Sequence, residues 1–545
     1  MKLSRSGRII VPAIAILALG LTACAPSGGE SGGQARDLRV GMTASDKGTL
    51  DPHLATSGSD KQVALTIFEG LVRYTPGDST QPFQPAIAAE IPETPEPNAD
   101  GTQTWTFELR DDVMCHPGPK TEAYPLTADD VVFSIDNSRS SETSAYAADF
   151  ANVQSVEKTG EHEIAITLTT PRSPALFLPL VANYAGGYVI CQQAYEAQGA
   201  EDFGAHPVGT GPFMYDSYTP ADSLHVVANP DYWRGEPQLP GVEFRYMPDD
   251  NSRESALTTG ELDLMLGIFD AAWIDRMNQQ EGITALTTGV GQIGLFLINT
   301  SLEPFDDIRV RQAIMYSFNR DAHVAVGGEG LYLPTWSITP SQNGPGWVDK
   351  DEYLDAGYDW AVEHDIDKAK KLLAEAGYPD GFSFSVVASE EDVHRDQYQV
   401  MQAGLATVGI DMQIEVVAHA TWGQIIREGG QGIVDQIIAR PTENTLVTQL
   451  FASQSIVQGG TAPSLNFAFY TGVDDLIAEA QESTDPEVQN EAWRQINLAA
   501  ARDAVVIPSE HILTPWAYSD SFDPGFEPVN NIESSWVINE LTALK

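Results

Sequence analysis

Basic residues and cysteines are scarce in this chain. Its 545 residues carry 30 Lys and Arg against 77 Asp and Glu, a formal net charge of −47. A polyanion of this size is repelled by nucleic acid and by anionic lipid head groups, which excludes a nucleic-acid partner. The acidic balance is read as serving solubility and says little about a ligand. Only three cysteines occur, Cys24, Cys115 and Cys191, and none sits in a redox or metal spacing. Beyond the first 24 residues there is no apolar run of the roughly 20 residues that a membrane helix needs. Catalytic signatures are missing too. No His-Glu-x-x-His helix is present, the dispersed Ser, His and Asp residues form no readable triad, and Gly327-Gly328-Glu329-Gly330 lacks the Lys-Ser/Thr of a phosphate loop. The ten histidines, among them His53, His116, His206, His323 and His419, are scattered without metal-ligand spacing. No cofactor is implied, and an enzyme such as a secreted hydrolase is the weaker reading.

The N-terminus carries the strongest local signal. Lys2, Arg5 and Arg8 precede an apolar run from Ile9 to Leu21, too short to span a bilayer, and Leu21-Thr22-Ala23-Cys24 follows. This arrangement resembles a bacterial lipoprotein signal, in which the Cys thiol is lipidated and becomes the mature N-terminus. Residues 1–24 are then a signal peptide and Cys24 a lipid anchor at the extracellular face of the cell membrane. Stable anchoring needs two or more acyl chains, at about 0.8 kcal/mol per buried CH₂. Residues 25–36, rich in Gly and Ser, read as a flexible tether. If Cys24 is lipidated, Cys115 and Cys191 remain as an even pair in an oxidising compartment, where a disulfide is favoured over two free thiols.

The remaining chain is 42% hydrophobic over the whole sequence, enough for two or three domains with real cores. Strand and helix patterns alternate along it. Trp105, Phe107 and Leu109 share one face of a period-two strand, and Ile164, Ile166 and Leu168 repeat the pattern. Thr127-Ala128-Asp129-Asp130 has the form of a capping box ahead of a helix. Val310, Ala313, Ile314, Ser317 and Phe318 mark one helical face, and Asp365 caps a further helix that Gly377 and Pro379 end.

Taken in order, these motifs resemble the family 5 extracellular solute-binding proteins of ATP-binding-cassette importers. Thr49-Leu50-Asp51-Pro52 with Ile67-Phe68-Glu69-Gly70-Leu71, then the Trp105 strand and the Thr127 helix, resemble the family's opening. Gly209-Thr210-Gly211-Pro212-Phe213, Asn229-Pro230-Asp231-Tyr232-Trp233, Asn299-Thr300, Val310-Arg311-Gln312-Ala313 and Ala376-Gly377-Tyr378-Pro379-Asp380-Gly381-Phe382 follow in register. Most of these residues are read as architecture: Gly209 and Gly211 as turn angles, Tyr232-Trp233 as core, Arg309 and Arg311 as solvated or ion-paired.

The resemblance implies an α/β, periplasmic-binding-protein-like fold (type II, cluster C), with two lobes about a hinge and an extra inserted domain. Domain I would comprise 37–70, 205–302 and 509–545, domain II 71–204, and domain III 303–508, with two extended crossings as the hinge. It also implies a receptor that captures a peptide between the lobes and docks on permease and ATPase subunits, acting as a monomer. A nickel chelate, an opine or an oligosaccharide is the alternative ligand. In the family's peptide binders an acidic residue after a domain III strand holds the α-ammonium. Glu443 occupies that place here, and Arg440 replaces the usual aromatic, with Pro441 fixing the backbone between them. The two could hold a ligand's ammonium and carboxylate, or pair with each other. Thr56, Ser57, Gly58 and Ser59 follow the Thr49–Pro52 strand end and are candidate cleft hydroxyls and backbone. Phe296, Trp336 and Trp422 are candidate walls, with Tyr146 and Trp536 weighed beside them.

Overall fold

Two long antiparallel strands, Ile283–Ile298 and Val506–Ser519, run side by side from Ile283 opposite Ser519 to Leu297 opposite Val506. At one end Val506–Ser519 pairs with Leu264–Leu266; at the other, Ile283–Ile298 pairs with Ile433–Ile438. The pair therefore belongs to both lobes. Its register shifts between Thr288 and Val290, between Val290 and Gln292, and between Gly294 and Leu295. Bulges of this kind locally bend and twist a ladder.

The computed structural model describes residues 36–545 other than 141, 148, 183, 391, 441, 458–464 and 531–534. Residues 1–24, read above as a signal peptide ending in Cys24, residues 25–35 of the expected tether, and Pro441 lie outside the described residues. Among the described residues nine strands form one sheet. Its order is Ile433–Ile438, Ile283–Ile298, Val506–Ser519, Leu264–Leu266, Leu38–Met42, Gly241–Tyr246, Ser223–Ala228 and Phe213–Thr219, with Tyr332–Pro334 also paired to Val506–Ser519. One core, from Leu38 through Trp105, Phe177 and Phe244 to Trp536, fills the first lobe. Two others flank the strands of the second lobe, one around Leu295, Val434 and Trp493, the other around Phe296, Tyr398 and Ile433. No helix among the described residues is long and apolar enough to cross a membrane.

The local patterns translate directly into elements. Gln103–Glu108 pairs antiparallel with Glu163–Leu168, placing Trp105 opposite Ile166 and Phe107 opposite Ile164, all four fully buried. Thr127 caps the helix Ala128–Ser138 in a reciprocal box with Asp130. Asp365 accepts from the backbone N–H groups of Asp367 and Lys368 at the start of Ile366–Glu375. Cys115 and Cys191 are joined by a disulfide across a separation of 76 residues. Closing a loop of that length restricts the unfolded chain by on the order of 4 kcal/mol in the chain-entropy account.

The motifs spread along the first lobe converge on one buried carboxylate. Glu69 accepts hydrogen bonds from the Tyr232 hydroxyl at 2.8 Å, the Trp233 indole N–H at 3.1 Å and the Thr210 hydroxyl at 3.2 Å. Gly209 and Gly211 press against the Ile67 carbonyl, where an added Cβ would lie 2.2 and 2.8 Å from its oxygen. This corrects the turn reading: neither glycine has a positive φ, and it is the close approach of backbone that excludes a side chain. Arg311 also departs from expectation. It is buried and donates to the carbonyl oxygens of Phe305, Asp306 and Asp503, whereas Arg309 pairs with Asp307 as anticipated.

A second polar layer lies under the crossing strands. His323 Nε2 and Gln397 Nε2 meet the two oxygens of Glu510 at 2.5 and 2.7 Å, and His394 Nδ1 lies 2.6 Å from Asp435. Both carboxylates are fully buried. Each is matched by a hydrogen-bonding partner, which is what makes a buried acid tolerable.

Candidate ligand-binding site

A cavity of about 540 Å³ opens between the lobes. From the first lobe its wall is built by Lys61, Tyr146, Asp149, Arg172 and Tyr184; from the second, by Arg440, Thr442, Asn444 and Gln449 among others. The volume lies within the range of small-molecule sites, which favour such interdomain clefts.

Lys61 comes from the first turn of the helix Gly58–Ile67. Its Nζ donates to the Tyr184 hydroxyl at 2.9 Å and lies 5.0 Å from the centre of that ring and 6.0 Å from that of Tyr146. The aromatic faces thus hold the ammonium at the cavity wall. Arg172 reaches across the interface, donating to the carbonyl of Gln481 in the second lobe. Burial lowers its pKa, and the nearby Glu482 opposes that shift. Beside it Ser173 donates to Gln489 Oε1 at 2.6 Å, both side chains fully buried, and Gln489 in turn donates to the carbonyls of Ala480 and Ser483. A polar latch therefore joins the lobes next to the cavity.

On the opposite wall, the strand Ile433–Ile438 delivers Arg440 and Thr442 caps the helix Glu443–Phe451. Arg440 donates from Nε to Gln449 Oε1 at 2.5 Å and from a terminal guanidinium nitrogen to the carbonyl of its neighbour Ala439 at 2.6 Å; burial raises the pKa of Asp149 across the cavity, and the charge of Arg440 opposes that shift. Asn444 also lines the cavity, and its Oδ1 is buried without a hydrogen-bond partner among the described residues.

The expected residues divide sharply. Arg440 lines the cavity, as does Tyr146. Glu443 does not. Its carboxylate sits against the loop at Gly344, where an added Cβ would be 3.2 Å from Oε1, and burial raises its pKa to about 7. Glu443 and Arg440 form no ion pair with each other. Ser57 accepts from the backbone N–H of Asp60 as a helix cap, and Thr56, Gly58 and Ser59 stand with it outside the cavity wall. Phe296 is fully buried, its ring against Phe318, His323 and Tyr398, so it is core and offers no face to a solute. Trp422 is likewise buried, donating to the Val387 carbonyl and packing on His394 and His419. Trp536 is fully buried. Trp336 lines a separate hollow of about 430 Å³ with Arg320, Lys350 and His364, all of the second lobe. Lys61, Asp149, Arg172, Tyr184 and Asn444 escaped the sequence reading. In a chain so short of Lys and Arg, each basic residue next to an aromatic or a domain crossing was the available signal.

The geometry is that of a receptor: a cavity shared by two lobes, bridged by long strands and without a catalytic constellation among the described residues. Comparison with known proteins agrees. The sequence profile of bacterial extracellular solute-binding proteins, family 5 Middle, matches residues 50–453. The dipeptide-binding protein of Escherichia coli (strain K12) is 26% identical over 538 residues, covering 93% of each chain. The glutathione-binding protein GsiB of Shigella flexneri is 28% identical over 487 residues, 86% of this chain and 87% of that one. The solved structure of MoaA from A. tumefaciens R10, in complex with mannopinic acid, is 34% identical with a TM-score of 0.77, covering 94% of this chain and 100% of that chain. The chain thus belongs to the family 5 bacterial extracellular solute-binding proteins, the non-catalytic receptors that capture small solutes between two lobes for ATP-binding-cassette importers.

Proposed function

We propose that this receptor takes a short peptide or peptide-like solute into the cavity between Lys61, Tyr146 and Arg172 on one side and Arg440, Asn444 and Gln449 on the other. The observation that carries this reading is the shared wall itself: a cavity of about 540 Å³ with polar side chains from both lobes and an unsatisfied buried acceptor at Asn444. Backbone N–H groups and carboxylates of a peptide match such a wall. The dipeptide-binding and glutathione-binding relatives support a peptide-like ligand. A second reading, an opine-type conjugate, is favoured by the mannopinic acid complex of the 34% identical neighbour.

Motion belongs to the same proposal. The bulged strands Ile283–Ile298 and Val506–Ser519 serve as the hinge, domain I being 37–70, 205–302 and 509–545, domain II 71–204 and domain III 303–508. The sheet that joins Leu38–Met42 to Gly241–Tyr246 and Leu264–Leu266 supports the discontinuous domain I. The receptor acts as a monomer tethered through lipidated Cys24, and the closed form docks on the permease while a separate subunit hydrolyses ATP. Native mass spectrometry of the gently purified soluble chain, followed by identification of the released solute, tests the ligand. Peptides in a narrow length range support the first reading, a sugar-acid conjugate supports the second, and a metal chelate or neutral oligosaccharide overturns both.

A further inference from the structure

The two walls of the cavity differ in kind. Beyond Lys61, Asp149, Asn152 and Arg172, the first-lobe wall is apolar or aromatic, with Phe150, Leu176, Pro179 and Leu180 joined by the rings of Tyr74 and Tyr184. All six fall within residues 71–204, the segment proposed as domain II. The second-lobe wall is polar among the described residues except at Ala439, and most of it comes from one helix. Thr445, Thr448 and Gln449 stand at i, i+3 and i+4 of Glu443–Phe451 and line the cavity, while Leu446, Val447, Leu450 and Phe451 are buried in the second-lobe core. We infer that the cleft selects a peptide-like solute with a bulky apolar side chain, which packs on the domain II wall while the main chain lies on this helix. The inference rests on the reading that solute is held in this cavity.

The polar groups of the first-lobe wall are already engaged with protein. Lys61 donates to the Tyr184 hydroxyl, Asn152 Nδ2 to the Thr170 carbonyl and Arg172 to the Gln481 carbonyl, while Asp149 interacts with the charge of Arg440. Between them the wall offers apolar surface. When closure expels water, a polar side chain set against Phe150, Leu176 and Leu180 loses its hydration and gains no hydrogen bond in return. An apolar side chain gains from the same burial. Leu176 also packs against the apolar core of the second lobe, so the apolar wall reaches the contact between the lobes. A solute side chain filling this place extends that contact and favours the closed form. The opposite wall recognises something else. Thr448 Oγ1 accepts from Gln481 Nε2, and Thr445 shares one hydrogen bond with Thr442. A hydroxyl has one donor and two acceptor positions, so both keep capacity for the N–H and C=O groups of a main chain. Those groups are the same in every peptide. The helix therefore contributes affinity common to all peptides, and the choice among side chains falls to domain II.

The test is calorimetric titration of the chain, expressed without its secretion signal, with the dipeptides Ala-Phe, Ala-Leu, Ala-Ser and Ala-Asp and the same four extended by a third residue, Ala. At the length that binds better, the Phe or Leu peptide should bind ten times or more tighter than the Ser and Asp peptides. Leu180→Asn should remove most of that preference by weakening the apolar peptide, with at most a twofold change for the Ser peptide. Thr448→Val should weaken both by a similar factor, a split that a general loss of structure does not produce. If Leu180→Asn is poorly folded, the peptide series on the unsubstituted chain decides alone. A preference below tenfold, or the reverse order, overturns the apolar selection and leaves peptide capture standing. A full preference retained by well-folded Leu180→Asn overturns the placement on the domain II wall. No binding by any of the eight at millimolar concentration overturns peptide capture and the selection together.

Discussion

Glu69 and Glu443 are glutamates withdrawn from water in different lobes, and their surroundings are built on opposite principles. Around Glu69, three donors from two separate chain segments converge on one carboxylate, and two glycines let the backbones close over it. Around Glu443 the acid is tucked against a loop with no ion pair among the described residues, while its neighbours Arg440 and Asn444 lie on the wall of a cavity. The first region spends its polar groups on itself and fixes the lobe. The second places them on the wall of the cavity where we propose that solute is held. Burial raises the pKa of both acids, so a shifted carboxyl alone does not separate architecture from binding; the partners do.

The largest effect that would sharpen this contrast is on Glu69. Glu69→Ala strands the Tyr232, Trp233 and Thr210 donors in the interior and should cost about 4 kcal/mol of unfolding free energy, at 1–3 kcal/mol for each unsatisfied group with partial relaxation. Glu69→Gln, which keeps an acceptor oxygen, should cost about half as much. Urea denaturation reads both, and equal stability of Glu69→Ala and wild type would show that the cluster does not hold the lobe.

Glu443 should announce itself through pH. Its carboxyl is raised from 4.5 to about 7 on folding, so the folded chain binds the proton more tightly than the unfolded chain. That contribution to stability is full below pH 4.5 and is lost as pH rises to about 7, by on the order of 3 kcal/mol. Glu443→Gln should flatten this dependence between pH 4.5 and about 7. A slope identical in the two proteins would contradict a water-excluded carboxyl at this place.

A smaller effect is expected at the latch. Ser173→Ala removes the hydroxyl that meets Gln489 between the lobes, at a cost of about 1 kcal/mol to the closed arrangement. The solute-free substituted chain should open more readily, seen as faster proteolysis within the cleft. Unchanged proteolysis would mean that the bond contributes nothing to closure.

The contrast also explains what the sequence reveals. Trp105, Thr127 and Asp365 act through period, spacing and capping within a few residues, so their strand, box and cap are legible directly. The Glu69 cluster is legible only as a series of motifs, because its parts are joined by tertiary contact. The cavity is less legible still. Arg440 was found through its motif, but the direction of Glu443 depends on how the helix Glu443–Phe451 meets the Gly344 loop, and Phe296 faces core because its strand is covered there by Phe318 and Tyr398. Lys61 and Arg172 reach the cavity from segments more than 100 residues apart, and no local pattern marks that convergence.

Small-angle scattering of the chain, stripped of co-purified solute and then saturated with it again, tests most directly whether solute is held between moving lobes. The account predicts a smaller radius of gyration on saturation, as Arg440 and the first-lobe wall close on the solute. An unchanged radius at full occupancy would contradict closure about the crossing strands.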